Sequence, residues 1–307
     1  MKNIITGLRR LHGFIHELVH KKENMQNMRM NVIHKQQKCA IKVLDIDDTL
    51  DELEKGKSMS RFGDGEMEII LGNDIGFQKR DLALGKRLAE ILLAEPDDRI
   101  LLCVPDALVT LNNLTDTSIE HWVQNMTQHH DDWMKYLKTD YAYGNTNVTR
   151  CYMRYLDKKN SINWFKRLQN LWTGENVVLV EGFETRVGIG NDMLDNAKSI
   201  KRILCPSENA FDKYNDIKEY IINNISKDDL ILIALGPTAT LLSWDLVKNG
   251  YRTLDIGHCD IEYSWCKMGV KTKTVVDGKY TNEVSGGNKV NSIIDEKYNK
   301  EILVTII

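Results

Sequence analysis

From residue 40 to residue 256 short apolar runs alternate with longer amphipathic ones, and the two periods set out a ladder of strands and helices. Ala40 to Leu44 reads as a strand or extended entry, followed by helical spacing through Ile46, Leu50 and Leu53 that Gly56 closes. Met59 to Phe62 is a short strand, Gly65 to Leu71 begins a helix, and Arg80 to Ala94 is an amphipathic helix that stops before Pro96. Ile100 to Val104 is a strongly apolar strand, and Asp116 to Lys138 is a polar helix anchored by Trp122, Met126 and Trp133. The second half repeats the alternation: strands at Asn176 to Val180, Ile200 to Cys205, Leu230 to Leu235 and Arg252 to Ile256. Helices are expected between them at Asn191 to Lys198, Ala210 to Ile225 and Pro237 to Asn249. These strands lack period-two alternation, as expected where helices cover both faces of a parallel sheet. The pattern therefore predicts a doubly wound, mostly parallel, Rossmann-like α/β domain.

The ends of the chain differ from this body. Residues 1–36 hold seven Lys or Arg against two acids, with Ile4, Ile5, Leu8, Leu11, Ile15 and Leu18 at helical spacing. A basic helical extension over 1–38 is expected, packing on the main domain or mediating self-association. Contact with an anionic membrane surface at the cytoplasmic face is the alternative. The main domain runs over 39–270. The polar tail 271–307 ends in the apolar run Ile302 to Ile307, which suits an added edge strand. A net charge of −3 argues against a nucleic-acid partner, since a protein that tracks phosphates carries a basic excess. Six scattered cysteines without a C-x-x-C pair, no membrane-length apolar run and no secretory leader pattern point to a cytoplasmic protein with reduced thiols.

In an open α/β sheet ligands bind beyond the carboxyl ends of the strands, so the chemistry is sought in the loops that leave them. Arg61-Phe62-Gly63-Asp64-Gly65-Glu66 carries two carboxylates two residues apart between glycines. Oxygen ligands so spaced suit Mg²⁺ or Mn²⁺, and Arg61 suits a phosphate. A turn leading into a helix N-terminus accounts for the same residues without a ligand. Glu181 to Asp192 offers Arg186, Gly188 and Asn191 to a phosphate or sugar, although its Gly-x-Gly is not the dinucleotide fingerprint. Gly236-Pro237-Thr238 forms an anion seat at a helix N-terminus, or a plain cap. Finally His258, Asp260 and Glu262 occur at alternate positions and, if extended, face one side. His258 is a candidate third metal ligand beside Asp64 and Glu66, and Asp260 or Glu262 a candidate base for an acceptor hydroxyl.

In their order, the motifs Ser60 to Glu66, Ile75 to Gln78, Glu181 to Asp192, Ile203 to Ser207, Ala234 to Thr240 and Asp255 to Trp265 resemble the GT-D-type glycosyltransferase family, across about residues 40–270. That family was first catalogued as a domain of unknown function and is linked to bacterial O-glycan assembly on adhesins. The resemblance implies a Rossmann-like GT-D fold and sugar transfer from a nucleotide-sugar donor, UDP-glucose being the familiar one. It also matches Asp64 and Glu66 to a metal-binding Asp-x-Glu motif. Ser264 stands where an acidic residue is expected, which places the base at Asp260 or Glu262. The expected function is metal-dependent transfer from a UDP-sugar to a glycan or glycoprotein. A nucleotide-sugar hydrolase and a non-catalytic nucleotide-sugar-binding subunit of a polysaccharide assembly complex are the alternatives. Residues 115–155, rich in Trp, Tyr and His, are the expected acceptor side, with Trp122, Trp133 and Trp164 read mainly as core anchors.

Overall fold

A computed structural model describes the backbone of residues 2–290 and 295–307, and the side chains of residues 20–290 and 295–307. Its elements run α1 (Lys2–Lys38), β1 (Lys42–Val43), α2 (Ile46–Glu54), β2 (Ser58–Arg61), α3 (Asp64–Ile70), α4 (Leu82–Leu93), β3 (Ile100–Val104), α5 (Asp116–Trp133), β4 (Ala142–Asn145) and α6 (Lys158–Asn170). The second half continues with β5 (Asn176–Gly182), β6 (Ser199–Cys205), α7 (Tyr214–Asn224), β7 (Leu230–Ala234), α8 (Pro237–Lys248), β8 (Arg252–Asp255), α9 (Cys259–Met268), α10 (Glu296–Glu301) and β9 (Ile302–Thr305). The strands lie in the order β1-β4-β3-β2-β8-β7-β5-β6-β9, and their described pairings are parallel. The doubly wound α/β sheet expected from the sequence is therefore present.

The topology explains where a ligand can sit. From β2 the chain moves outward through β3 and β4, then returns to build the other half from β5 to β8. Strands β2 and β8 meet at that reversal through Met59 and Leu254. Crevices in open parallel sheets form at such a reversal. Strands β3 and β7 are buried along their whole length, as the unbroken apolar runs require. Trp122, Trp133 and Trp172 fill the layers beside them and are fully buried.

The sequence reading needs correction at several elements. The helix expected over Asn191 to Lys198 is a run of turns. The Asn191 side chain accepts from Met193 N, and the Met193 carbonyl accepts from the Trp172 indole, so these groups are drawn away from a helical ladder. Strand β4 lies within the aromatic stretch 115–155, and helix α6 follows it, and the apolar pattern predicts neither. The loop after β8 is not extended: it turns at once into α9, so Asp260 and Glu262 project in different directions. The apolar end of the chain does become an edge strand, with β9 beside β6.

Helix α1 packs its C-terminal part on the body. Val32 is buried, Lys35 pairs with Asp131 at 2.9 Å, and Gln36 donates to the Ala107 carbonyl at 2.7 Å. The side chains of Ile4, Ile5, Leu8, Leu11, Ile15 and Leu18, on which the membrane reading rested, lie outside the described residues. No described helix is long and apolar enough to cross a membrane. All six cysteines are free thiols.

One close approach positions the site. A side chain at Gly85 on α4 would lie 2.6 Å from the Ile69 carbonyl oxygen, so only glycine lets α4 press against α3, whose first turn carries the acidic pair. On the far half, Arg202 of β6 donates to Glu181 at 2.6 Å, to the Val187 carbonyl at 3.0 Å and to Glu301 at 2.7 Å. Glu181 in turn accepts from Val187 N at 2.7 Å. This fully buried pair fixes the loop after β5 and ties in the C-terminal elements. Removing one partner of such a pair strands the other charge, so Arg202→Ala should cost about 3 kcal/mol or more in urea unfolding. A loss below about 1 kcal/mol would show that Glu181 is not held by this contact.

Candidate functional site

The carboxyl ends of β2, β8, β7 and β5 open into one cleft of about 940 Å³, within the range of pockets that hold a large polar ligand. Its floor is built around Arg61 and Asp255. Arg61 donates through Nε to the Asp255 carbonyl at 2.8 Å and through a terminal nitrogen to Oδ1 at 3.0 Å. Its other terminal nitrogen reaches the Thr146 carbonyl at 3.3 Å. Thr240 of α8 donates to the Arg61 carbonyl at 2.8 Å. Gly257, at φ +44°, makes this possible, because a Cβ there would lie 1.8 Å from the guanidinium. Arg61 lines the cleft, and each of its three guanidinium nitrogens makes one bond to the scaffold.

Asp64 and Glu66 stand in the first turn of α3, where the dipole favours negative charge. Each is oriented through one oxygen. Glu66 Oε2 accepts from Gly63 N at 2.6 Å, closing the helix start, and Asp64 Oδ2 pairs with His121 Nε2 of α5 at 3.1 Å. Burial pushes the Glu66 carboxyl up to about 7, assisted by the nearby Asp255 charge and opposed by the Gly63 N–H and Arg61. Burial would raise Asp64 too, but His121, Arg154 and Arg150 outweigh it and hold the carboxyl well below the usual range.

Both carboxylates line the cleft with His258, yet among the described residues no three His, Cys, Asp or Glu side chains converge in metal-binding geometry. His258 instead bonds Asn282 Oδ1 at 3.0 Å, and burial, with the positive charge of Arg150, lowers its pKa to about 4, so the ring is neutral at physiological pH. Asp64 and Glu66 both line the cleft, and carboxylate oxygens are the ligands that Mg²⁺ or Mn²⁺ take, ions that commonly keep several positions for water and substrate phosphates.

The expected base candidates are engaged by the scaffold: Asp260 still lines the cleft, and Glu262 does not. Asp260 is buried and ion-paired with Lys279, and also accepts from Gly188 N at 2.9 Å and Asn191 at 2.8 Å. Glu262 is fully buried under the backbone N–H groups of Tyr152 and Met153. Their helical setting explains the difference: an extended run would have aimed both at the cleft. Gly188 and Asn191 are thus spent on Asp260, and Arg186 donates to the Gly278 carbonyl at 2.7 Å. Of the anion seat, Gly236 lines the cleft with the Phe77 ring against it, whereas Thr238 is fully buried with no partner for its hydroxyl.

The sequence reading missed two groups. Arg150 and Arg154 line the cleft beside Asp64, and each has a buried Nε without a partner. Asp106 fixes the segment that carries them, accepting from Tyr155 at 2.6 Å, Asn145 at 3.2 Å and Asn147 at 3.0 Å. Burial and the charge of Arg150 press the Arg154 pKa down, so this cationic pair is suited to an anion. Two arginines four residues apart after Asn145 and Asn147 were the available signal. The second group is the strap 271–283, beyond the expected boundary at 270. Glu283 pairs with Arg150 and, at 2.7 Å, with Lys273, while Tyr280 N donates to the Glu184 carbonyl at 2.9 Å. Because Lys279 anchors this strap on Asp260, Lys279→Met should raise hydrogen exchange in residues 271–289 by about tenfold or more, the share of stability lost when a buried pair is broken. Unchanged protection there would show that the strap is held by other contacts.

The model of the family described as glycosyltransferase GT-D fold matches residues 59–284. A probable glycosyl transferase Gly of Streptococcus gordonii is 39% identical over 267 residues, covering 87% of this chain and 39% of that protein. Glycosyltransferase GlyD of Streptococcus pneumoniae is 38% identical over 268 residues, covering 87% of this chain and 33% of its own length. The chain therefore spans about a third to two fifths of these relatives. A solved glycosyltransferase (DUF1792) from Streptococcus sanguinis superposes with a TM-score of 0.82 at 38% identity, covering 87% of this chain and 100% of that one. A solved domain of unknown function 1792, described as having a distinct glycosyltransferase fold, gives 0.85 at 33% identity, covering 90% and 99%. With the acidic pair of α3 at the mouth of a doubly wound sheet and these matches across most of its length, the chain belongs to the GT-D-fold glycosyltransferase family.

Proposed function

We propose that this chain transfers a sugar from a UDP-sugar donor to a glycan or glycoprotein acceptor, with Mn²⁺ or Mg²⁺ at Asp64 and Glu66. The observation that carries this reading is the placement of that pair, at the carboxyl end of β2, in one cleft with two arginines that have unpartnered nitrogens. A divalent cation bound there supplies charge neutralisation for the departing diphosphate. Arg150 and Arg154 add fixed positive charge to the same wall, already oriented before substrate arrives. Glu283 holds Arg150 in place, and the neutral His258 offers a hydrogen bond rather than a charge. Lys271, Lys273, Tyr280 and Asn282 of the strap also line the cleft.

The activity rests on the family and on this site, while the donor sugar and acceptor follow from the resemblance in sequence. The Asp64→Ala/Glu66→Ala protein should lose about 100-fold or more of donor turnover, and chelation of divalent metal should reproduce the loss in the wild type. A double variant that consumes UDP-sugar as fast as the wild type would refute the site. Sugar release at the full rate with no acceptor present would assign the cleft to hydrolysis instead. Arg150→Gln should lower kcat by about 100-fold with a smaller change in KM, since its charge acts on the leaving group. A change in KM alone would make Arg150 a simple binding contact.

A further inference from the structure

Helix α5 turns a polar stripe free of acids, lysine and arginine toward the cleft. Thr117, His121, Gln124 and Gln128 follow one another by four, three and four residues, so they share one face. All four are exposed and line the cleft, with Asn125 beside them. The stripe is about 16 Å long at the helical rise, the length of a short oligosaccharide rather than of one sugar. The same helix carries Asp116, Glu120, Asp131 and Asp132, none of which lines the cleft. An exposed helix face is ordinarily where such charges go, yet this one shows amides and a hydroxyl, and its single titratable member, His121, is held by Asp64.

We propose that this stripe is the acceptor subsite and that it takes a neutral oligosaccharide. The proposal rests on the transferase reading given above and adds the location and chemical class of the acceptor. Amide and hydroxyl groups both donate and accept, which is what a surface needs to read sugar hydroxyls in several orientations. Two further groups on this wall lack partners: the Asn125 amide oxygen and the indole N–H of Trp122, which is only 1% exposed. Buried polar atoms left unpaired are costly, and a ligand hydroxyl satisfies them.

Position and charge favour the same occupant. The His121 bond to Asp64 places the stripe directly beside the acidic pair. Phe77, Gly236 and Ser207 line the same cleft, with the Phe77 ring against Gly236. The charged groups that α3 turns toward the stripe are carboxylates, Asp64 and Glu68, and Glu68 also meets His129 at 3.2 Å. These carboxylates disfavour sulfate, phosphate or carboxylate along the stripe, whereas Arg154, 5.3 Å from the Trp122 ring centroid, and Arg150 are the cationic groups of the cleft that the diphosphate takes up.

The test uses the full chain with UDP and Mn²⁺ on an array of defined neutral, sialylated and sulfated oligosaccharides, with UDP affinity measured separately by calorimetry. The wild type should bind neutral members. Gln124→Ala/Gln128→Ala, which changes only exposed side chains, should bind them about tenfold more weakly, the loss expected for two neutral hydrogen bonds, with UDP affinity unchanged. Binding of anionic members only, of no member, or of the same members at equal strength by the variant would overturn the proposal. A fall in UDP affinity in the variant would also overturn it, by assigning the stripe to the donor. Failure of the wild type to bind UDP would count against the transferase reading, whereas the array judges the stripe by itself.

Discussion

The site depends on one ion pair. Arg61 leaves the end of β2, Asp255 the end of β8, and their contacts draw in the Thr146 carbonyl after β4 and Thr240 of α8. Four segments distant in sequence are thereby fixed within one turn of each other. Three of them lead directly to cleft residues: Gly63 to Glu66, Gly257 and His258, and Asn147 to Arg154. A buried pair of this kind contributes little net stability, because desolvating two charges offsets much of their attraction. Its use is geometric. It sets where the acidic turn of α3 stands relative to the arginines that face it.

A second layer of ion pairs closes the site from outside. Lys279 on Asp260 and Glu283 on Arg150 bind a strap with little regular structure to the body, and Arg186 holds the Gly278 carbonyl between them. Residues that read as phosphate grips or as a catalytic base are, in the fold, the anchors of this strap. A lysine and two N–H donors fix the orientation of the Asp260 carboxylate. Among the described residues, unpartnered polar atoms lie on the cleft wall at Arg150, Arg154, Trp122 and Asn125, and also at the buried Thr238 and Glu262.

The apolar runs made the parallel sheet legible, since strands buried on both faces leave a signature that survives without tertiary information. The position of the acidic pair was legible for the same reason: an Asp-x-Glu between glycines after a strand has few places to go in such a fold. Strand β4 was not, being four residues with a glycine, Ala142 to Asn145. The single face expected of His258, Asp260 and Glu262 is not formed, because alternate spacing implies one face only on an extended chain, and α9 begins at Cys259. Lys279 and Glu283 were beyond reach, because long-range ion pairs leave no periodic trace. Residues of the stretch 115–155 line the cleft: Trp122 and Trp133 are buried, and Gln124, Asn125 and Gln128 are among the side chains on the wall.

The central claim is that Asp64 and Glu66 hold a divalent cation for a nucleoside diphosphate in this cleft. Calorimetric titration of UDP into the wild type and into Asp64→Ala, with and without Mn²⁺, tests it most directly. The account predicts binding that requires Mn²⁺ and disappears in the variant. UDP binding of equal strength with and without the metal, unaffected by Asp64→Ala, would contradict it.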